Sequence, residues 1–311
     1  MQLFNIFIFP GFLFLFVFAM YAEFVDRRLY ARFQSRIGPP IFQPLADFIK
    51  LLAKEDMVPE EANARFFKLM PLIALTSVVT AILYVPIWNT QAVSAFPGDI
   101  VVVLYLLTIP TLCFFVGGWY STSLYARIGS SRLLVQLFAY EVPLYMSILS
   151  TAIISDSWSI SGILQFHAQH PWYWVFNLIG FVVAIIALIG KLEKAPFDIP
   201  DAETEIVAGA FTEYSGKLLA FLKLTLSIEM IVGASLIAAI FLPFGYNLPP
   251  LLAFVLYIIK VLSIVAIVAL VRTVFARMRL DQMIEFCWKF VVPLALLQVI
   301  INLFLEGFLI K

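Results

Sequence analysis

Soft-metal and thiol chemistry has little to work with in this chain. Its 311 residues include two cysteines and two histidines, and Cys113 and Cys287 each stand alone in or beside an apolar stretch. Isolated thiols hold neither an iron–sulfur cluster nor a zinc ion, so the chain itself carries no redox centre. His167 and His170 are three apart, but no further ligand lies near them in sequence, and metal binding is the weaker reading. Charge is scarce as well. Only 13% of residues are charged and the formal net charge is zero, which gives no basis for nucleic-acid binding. Scarcest of all are cations in three connectors, 89–99, 155–172 and 243–248, which contain no Lys or Arg.

What is present is apolar. Hydrophobic residues make up 63% of the chain and the mean hydropathy is +1.00, against roughly 45–50% apolar in soluble domains. A spanning helix needs about 20 mostly apolar residues, and such runs occur near 3–22, 68–88, 100–119, 133–154, 173–190, 218–242, 249–271 and 286–306. They are long and continuous, unlike the short alternating strands of a membrane barrel. The expectation is an all-α integral membrane protein of about eight transmembrane helices, a single polytopic domain over 1–311 in the cytoplasmic membrane. Sixteen of the twenty Lys and Arg residues fall in 23–68, 120–132, 191–217 and 272–285, alternating with the cation-free connectors. By the positive-inside rule those charged loops are cytoplasmic and both termini face outward. The first span lacks a basic leader and reads as a retained helix.

Two connectors carry structure of their own. In Ile41 to Lys54, Phe42, Leu45, Ala46, Phe48, Ile49 and Leu52 recur at helical spacing opposite Gln43, Asp47, Lys50 and Lys54, which predicts an amphipathic interfacial helix. Gly38, Pro39 and Pro40 end the helix before it. In 191–217, Asp198 followed by Pro200 starts a helix and Gly209 stops it, predicting 199–208.

Ionisable residues inside apolar spans mark ion paths by default. Glu141 lies roughly 12 Å in from Leu133, while Glu229 and Lys260 sit near the middle of their spans. A static Glu229–Lys260 ion pair is the alternative reading. Past the fifth span, Glu193, Asp198, Asp201, Glu203, Glu205 and Glu213 crowd into about twenty residues. Carboxylates gathered in a partly dehydrated funnel raise one another's pKa, although a solvated acidic loop has the same composition. Arg27, Arg28, Arg32 and Arg36 either orient the first span against headgroups or dock a soluble partner.

Four stretches together resemble one family. They are Asp26-Arg27-Arg28-Leu29 through Arg36-Ile37-Gly38-Pro39 and Gln43-Pro44-Leu45-Ala46-Asp47; Gly118-Trp119 with Tyr140-Glu141; Ala195-Pro196-Phe197-Asp198-Ile199-Pro200-Asp201-Ala202-Glu203 through Thr212-Glu213-Tyr214-Ser215-Gly216; and Arg277-Met278-Arg279-Leu280-Asp281 with Trp288-Lys289. The family is the H-type membrane subunit shared by respiratory complex I and membrane-bound energy-converting nickel–iron hydrogenases. The resemblance implies a subunit between a hydrophilic cytoplasmic redox arm and antiporter-like membrane subunits, in a complex whose iron–sulfur clusters and nickel–iron or related centre sit in partner chains. It implies that Glu141, Asp198, Asp201, Glu203, Glu205 and Glu213 line an acidic path, to which burial adds Glu229 and Lys260. Two departures bear on the branch. Gln43 follows Pro39 after only three residues, a shortening similar to the hydrogenase branch that points away from a quinone site. Lys191 stands where many relatives have an acid, with Glu193 near the same helix end.

The expected function is coupling of electron transfer in a ferredoxin-driven hydrogenase, or a related sulfur reductase, to proton or sodium translocation. The alternative is a quinone-binding subunit of a complex I-like dehydrogenase. A stand-alone transporter predicts inverted repeats that the sequence lacks, and a passive anchor predicts that the acids serve assembly alone.

Overall fold

Apolar runs bounded by Pro, Gly and charged residues set the helices, and the computed structural model, which describes residues 2–200, 203–246 and 248–307, shows thirteen of them and no strand among the described residues. They are α1 (Gln2–Phe7), α2 (Phe12–Phe33), α3 (Gln43–Ala53), α4 (Ala64–Ala81), α5 (Asp99–Trp119), α6 (Leu124–Ile154), α7 (Ile160–Gln169), α8 (Leu178–Lys191), α9 (Glu203–Ile206), α10 (Gly216–Phe241), α11 (Pro250–Val274), α12 (Leu280–Phe286) and α13 (Val292–Leu305). Among the described residues, eight helical segments are long and apolar enough to cross a membrane. The first combines α1 and α2, broken where Pro10 lacks an N–H and Gly11 presses on the Ile6 carbonyl, with no room for a Cβ. The last joins α12 to α13 through a π-helical turn at Cys287–Val291.

An even number of crossings puts the start of α1 and the end of α13 on one face. At the opposite face the four charged connectors meet. Asp26 bonds Lys194 at 2.8 Å and lies 3.5 Å from Arg272, Glu205 pairs with Arg132 and Arg277, and Asp56 accepts from the Lys217 N–H. The cation-free connectors gather at the other end, where Asp99 accepts from the Ile160 N–H at 2.7 Å and Phe9 stacks on Trp88.

The centre of the bundle belongs to α10. Its most apolar window is 94% buried, so α10 is wrapped by the other spans and any polar group on it must be satisfied inside the bundle. The amphipathic α3 forms as its periodicity predicts and packs against α2 and α10, with Phe48 against Phe16. Loop 209–211 wedges between α5 and α6, a fit that needs small residues. The Gly209 backbone has φ +50°, and a Cβ on Gly129 of α6 would lie 2.5 Å from the Gly209 Cα.

Two spans run further than their apolar cores. α2 continues through Glu23, Asp26 and Arg27 to Phe33, and α6 begins at Leu124. The helix expected over 199–208 is shorter, confined in its described part to Glu203–Ile206. Left-handed backbone at Val207 and Gly209 ends it. α7 has no counterpart among the expected elements.

Candidate functional site

A buried ion pair lies at the centre of the bundle. Lys191, the last residue of α8, and Glu229 of α10 have side chains 2% and 0% exposed, and Nζ stands 3.0 Å from Oε1. The ammonium also donates to the Leu107 carbonyl of α5 at 2.5 Å and lies 5.7 Å from the Tyr140 ring centre. The Tyr140 hydroxyl in turn bonds Thr111 at 3.2 Å. In a low-dielectric interior each charge is tolerated because the other is there. The partner of Glu229 is therefore Lys191, which corrects the expected alternative of a Glu229–Lys260 pair.

The polar line continues beyond Leu107. The next residue, Thr108, donates to Glu141 of α6, and Tyr145 donates to the same carboxylate at 2.8 Å. Pro110 and Pro143 fall near this layer, and their missing N–H groups release the carbonyls of Leu106 and Ala139. Glu141 itself is half-buried. The line thus crosses from α10 through α8 and α5 to α6, from fully enclosed to partly open.

On the side of the charged connectors the pair abuts a cavity of about 350 Å³, lined in part by Glu23, Asp26, Arg27, Lys194, Lys223 and Arg272. Asp26, 2% exposed, faces both Lys194 and Arg272. The Lys194 ammonium lies 3.1 Å from the sulfur of Met230, the residue after Glu229. Glu23 accepts from Ser227 at 2.7 Å and pairs with Arg27, which also bonds Asp47 of α3 at 2.7 Å. Burial pushes the Asp47 carboxyl up, but the bonds from Arg27 and Gln43 outweigh it, and the net shift is downward. Glu23, Asp26, Lys191, Lys194 and Arg272 were not among the expected site residues. The signal for the first two was the uninterrupted helical spacing past residue 22.

The loop acids divide. Glu193, two residues past the end of α8, has φ +52°, a left-handed conformation that a non-glycine residue adopts at a cost of about 1–2 kcal/mol. Asp198 and Glu213 are half-buried. Glu205 is exposed and bonds Arg132 at 2.7 Å, with Arg277 at 3.7 Å. The Arg132 hydrogen bond and the Arg277 charge hold its carboxyl below the usual range, opposite to the upward shift expected of crowded acids. Asp201 and the Glu203 side chain lie outside the described residues.

Lys260 stands apart. Its ammonium donates to the carbonyls of Leu242, at 2.6 Å, and Phe244, beyond the C-terminal end of α10. Leu242 is thirteen residues past Glu229, roughly 20 Å along the helix. Of the expected docking arginines, Arg27 turns inward to Glu23 and Asp47, while Arg28, Arg32 and Arg36 keep some exposure. Among the described residues no group of three His, Cys, Asp or Glu could hold a metal ion.

The comparisons with known proteins agree with this architecture. A family model described as NADH dehydrogenase matches residues 6–303. The chain is 32% identical over 310 residues to the H subunit of NADH-quinone oxidoreductase from Carboxydothermus hydrogenoformans, covering 95% of this chain and 85% of that protein. It is 33% identical over 314 residues to the protein of the same name in Bacillus thuringiensis, covering 96% and 94%. A chain from the structure of the membrane-bound sulfane sulfur reductase, an archaeal respiratory membrane complex, superimposes with a TM-score of 0.83 at 27% identity, over 93% of this chain and 97% of that one. With eight candidate spans among the described residues, one heavily charged end and these relatives, the chain belongs to the NADH dehydrogenase family of complex I H-type subunits and is a membrane subunit of a multi-subunit oxidoreductase.

Proposed function

We propose that this chain couples electron transfer in a cytoplasmic redox arm, of a ferredoxin-driven hydrogenase or related sulfur reductase, to ion translocation across the cell membrane. The observation that carries the reading is the line Glu229–Lys191–Leu107/Thr108–Glu141, which joins four helices between the enclosed centre and the partly open face of α6. At its cytoplasmic end, the cavity lined by Asp26 and Lys194 offers an entry for protons, and Glu193 stands between two of its lining residues, Leu192 and Lys194. Electron arrival in the arm changes the field at that end. A buried pair responds strongly because little solvent screens it, so proton occupancy along the line shifts and Glu141 hands the charge to a neighbouring antiporter-like subunit. Arg28, Arg32 and Arg36 offer the arm a basic docking edge. The metal clusters belong to partner chains.

Glu141→Gln in the assembled complex is the test. It keeps the side-chain shape but cannot exchange a proton, so ion translocation per electron is expected to fall while subunit composition is unchanged. Wild-type coupling in that variant removes Glu141 from the path, and failure of assembly alone favours a passive anchor.

A second reading rests on the relatives named as quinone oxidoreductase subunits. Here the cavity between α2, α3 and α10, about 310 Å³, would take the quinone headgroup. Its lining of Glu23, Arg27, Asp47, Lys50 and Lys223 is heavily charged, which suits water better than an isoprenoid tail. Inhibition of turnover by quinone-site blockers would favour this alternative.

A further inference from the structure

At the cation-free end of the bundle, away from the acidic line, a cavity of about 270 Å³ lies between α7 and the connector after α10. Thr90, His167, Pro171, Trp174, Phe244 and Tyr246 are among its walls. His167 is only 3% exposed, and neither ring nitrogen has a hydrogen-bond partner among the described residues. Leaving a buried polar group unpaired costs about 1–3 kcal/mol, so the ring calls for a partner that the fold does not supply. Burial first, and the neighbouring His170 second, lower its pKa to about 4. The imidazole is therefore neutral near pH 7 and presents one donor and one acceptor.

The walls restrict what that partner can be. No Asp, Glu, Lys or Arg stands among the described wall residues, so neither an anion nor a cation finds a counter-charge there. A cation is disfavoured a second time, because the Lys260 ammonium already lies 4.4 Å from the Phe244 ring centre and 4.7 Å from that of Tyr246. Like charge behind those rings opposes their use as an aromatic cage for a quaternary ammonium. What fits is a neutral ligand that both gives and takes hydrogen bonds while offering apolar faces to Trp174, Phe244 and Tyr246. The hydroxyls of a sugar do the first and its ring C–H groups the second. The volume falls just below the range of about 300–1,000 Å³ that holds drug-sized ligands, which leaves room for a single ring. Trp158 and Trp172, on either side of α7, are 56% and 77% exposed, as in the aromatic belts that mark headgroup level.

From these constraints we infer that the cavity binds an uncharged, hydroxyl-rich ring, the chemistry of a sugar headgroup. One ring hydroxyl donates to the acceptor nitrogen of His167, another accepts from its N–H, and the C–H face of the ring packs on the aromatic walls. No covalent bond forms or breaks, and the inference stands or falls independently of ion translocation.

The test uses the assembled wild-type complex in phosphatidylcholine nanodiscs containing a monoglucosyl-diacylglycerol with a photoreactive diazirine on its sugar. Peptide mass spectrometry is expected to find the cross-links in α7 and in 243–246. Unlabelled glucosyl-diacylglycerol is expected to reduce them by about tenfold or more, and phosphatidylglycerol at the same concentration to leave them unchanged. Cross-links spread over the lipid-facing helices, or equal displacement by the phospholipid, overturn the inference. Methyl glucoside added in water identifies the source: displacement at concentrations as low as those of the glycolipid assigns the site to a free sugar, and displacement by the glycolipid alone assigns it to a lipid headgroup, with the binding chemistry upheld in both cases. His167→Leu removes donor and acceptor together and is expected to weaken labelling by about tenfold, equivalent to about 1.4 kcal/mol. His167→Gln keeps one group of each kind and is expected to restore most of the labelling, which a loss of packing alone would not allow. Labelling that survives His167→Leu undiminished also overturns the inference.

Discussion

Lys191 and Glu229 each occupy a place that the bilayer would refuse to either alone. Truncating one partner strands the other charge, so Glu229→Leu is expected to lower stability by about 3–5 kcal/mol. The double variant Lys191→Met with Glu229→Leu replaces the pair by apolar groups and is expected to recover most of that loss, because a buried ion pair gains little over packed hydrophobes. Thermal unfolding of the isolated complex measures both. Ion translocation is expected to stay lost in the double variant, and its return would show that the pair serves only the fold. Glu141 and Glu229 were legible in the sequence because a carboxylate within a long apolar run has few neutral explanations. Lys191 was not, since it is the last residue of its span and a lysine there reads as an anchor to the interface. Its ammonium turns inward, and only the packing of α5, α8 and α10 reveals that. Asp26 was hidden for a similar reason, because the run of arginines after it made α2 look finished.

Helices α6, α8 and α13 are joined by amides rather than by charge. Gln298 of α13 donates to the Phe176 carbonyl and to the side-chain oxygens of Asn177 and Asn302, and accepts from the Gly180 N–H at 3.1 Å. Asn302 donates to the Ser150 carbonyl of α6 at 2.8 Å. All of this is inside the bundle, so Gln298→Leu leaves several polar groups without partners and is expected to cost about 1–3 kcal/mol of stability. An unchanged unfolding midpoint would mean that the helices rearrange or that water enters. The spans were visible because length and hydropathy decide them. α7 was not, because ten residues within a connector lie below that threshold and its apolar face became meaningful once it had α10 to pack on. The expected extent of α9 was too long because Asp198, Pro200 and Gly209 supply the right start and stop signals, whereas the left-handed turn at Val207 has no sequence marker.

Across the molecule, the sorting of connectors to two ends was written in the distribution of Lys and Arg before any contact was known, and the positive-inside rule assigns the charged end to the cytoplasm. It gives a direct expectation. A single cysteine replacing Glu60, in a charged connector, is labelled only from the cytoplasm, and one replacing Gln91, in a cation-free connector, only from outside. Labelling of both from one side would invalidate the eight-span topology. Both positions are exposed, so access is decided by the membrane alone. The join between loop and bundle was not readable, because it depends on two backbones meeting. Gly129 and Gly209 touch with no side chain between them, so the acidic loop rests on α6 as a lever on its fulcrum. Glu141 lies twelve residues further along that same rod, roughly 18 Å away. A push on that loop would therefore reach the carboxylate mechanically, through a stiff helix, and under the proposed function this adds to the effect of the electric field.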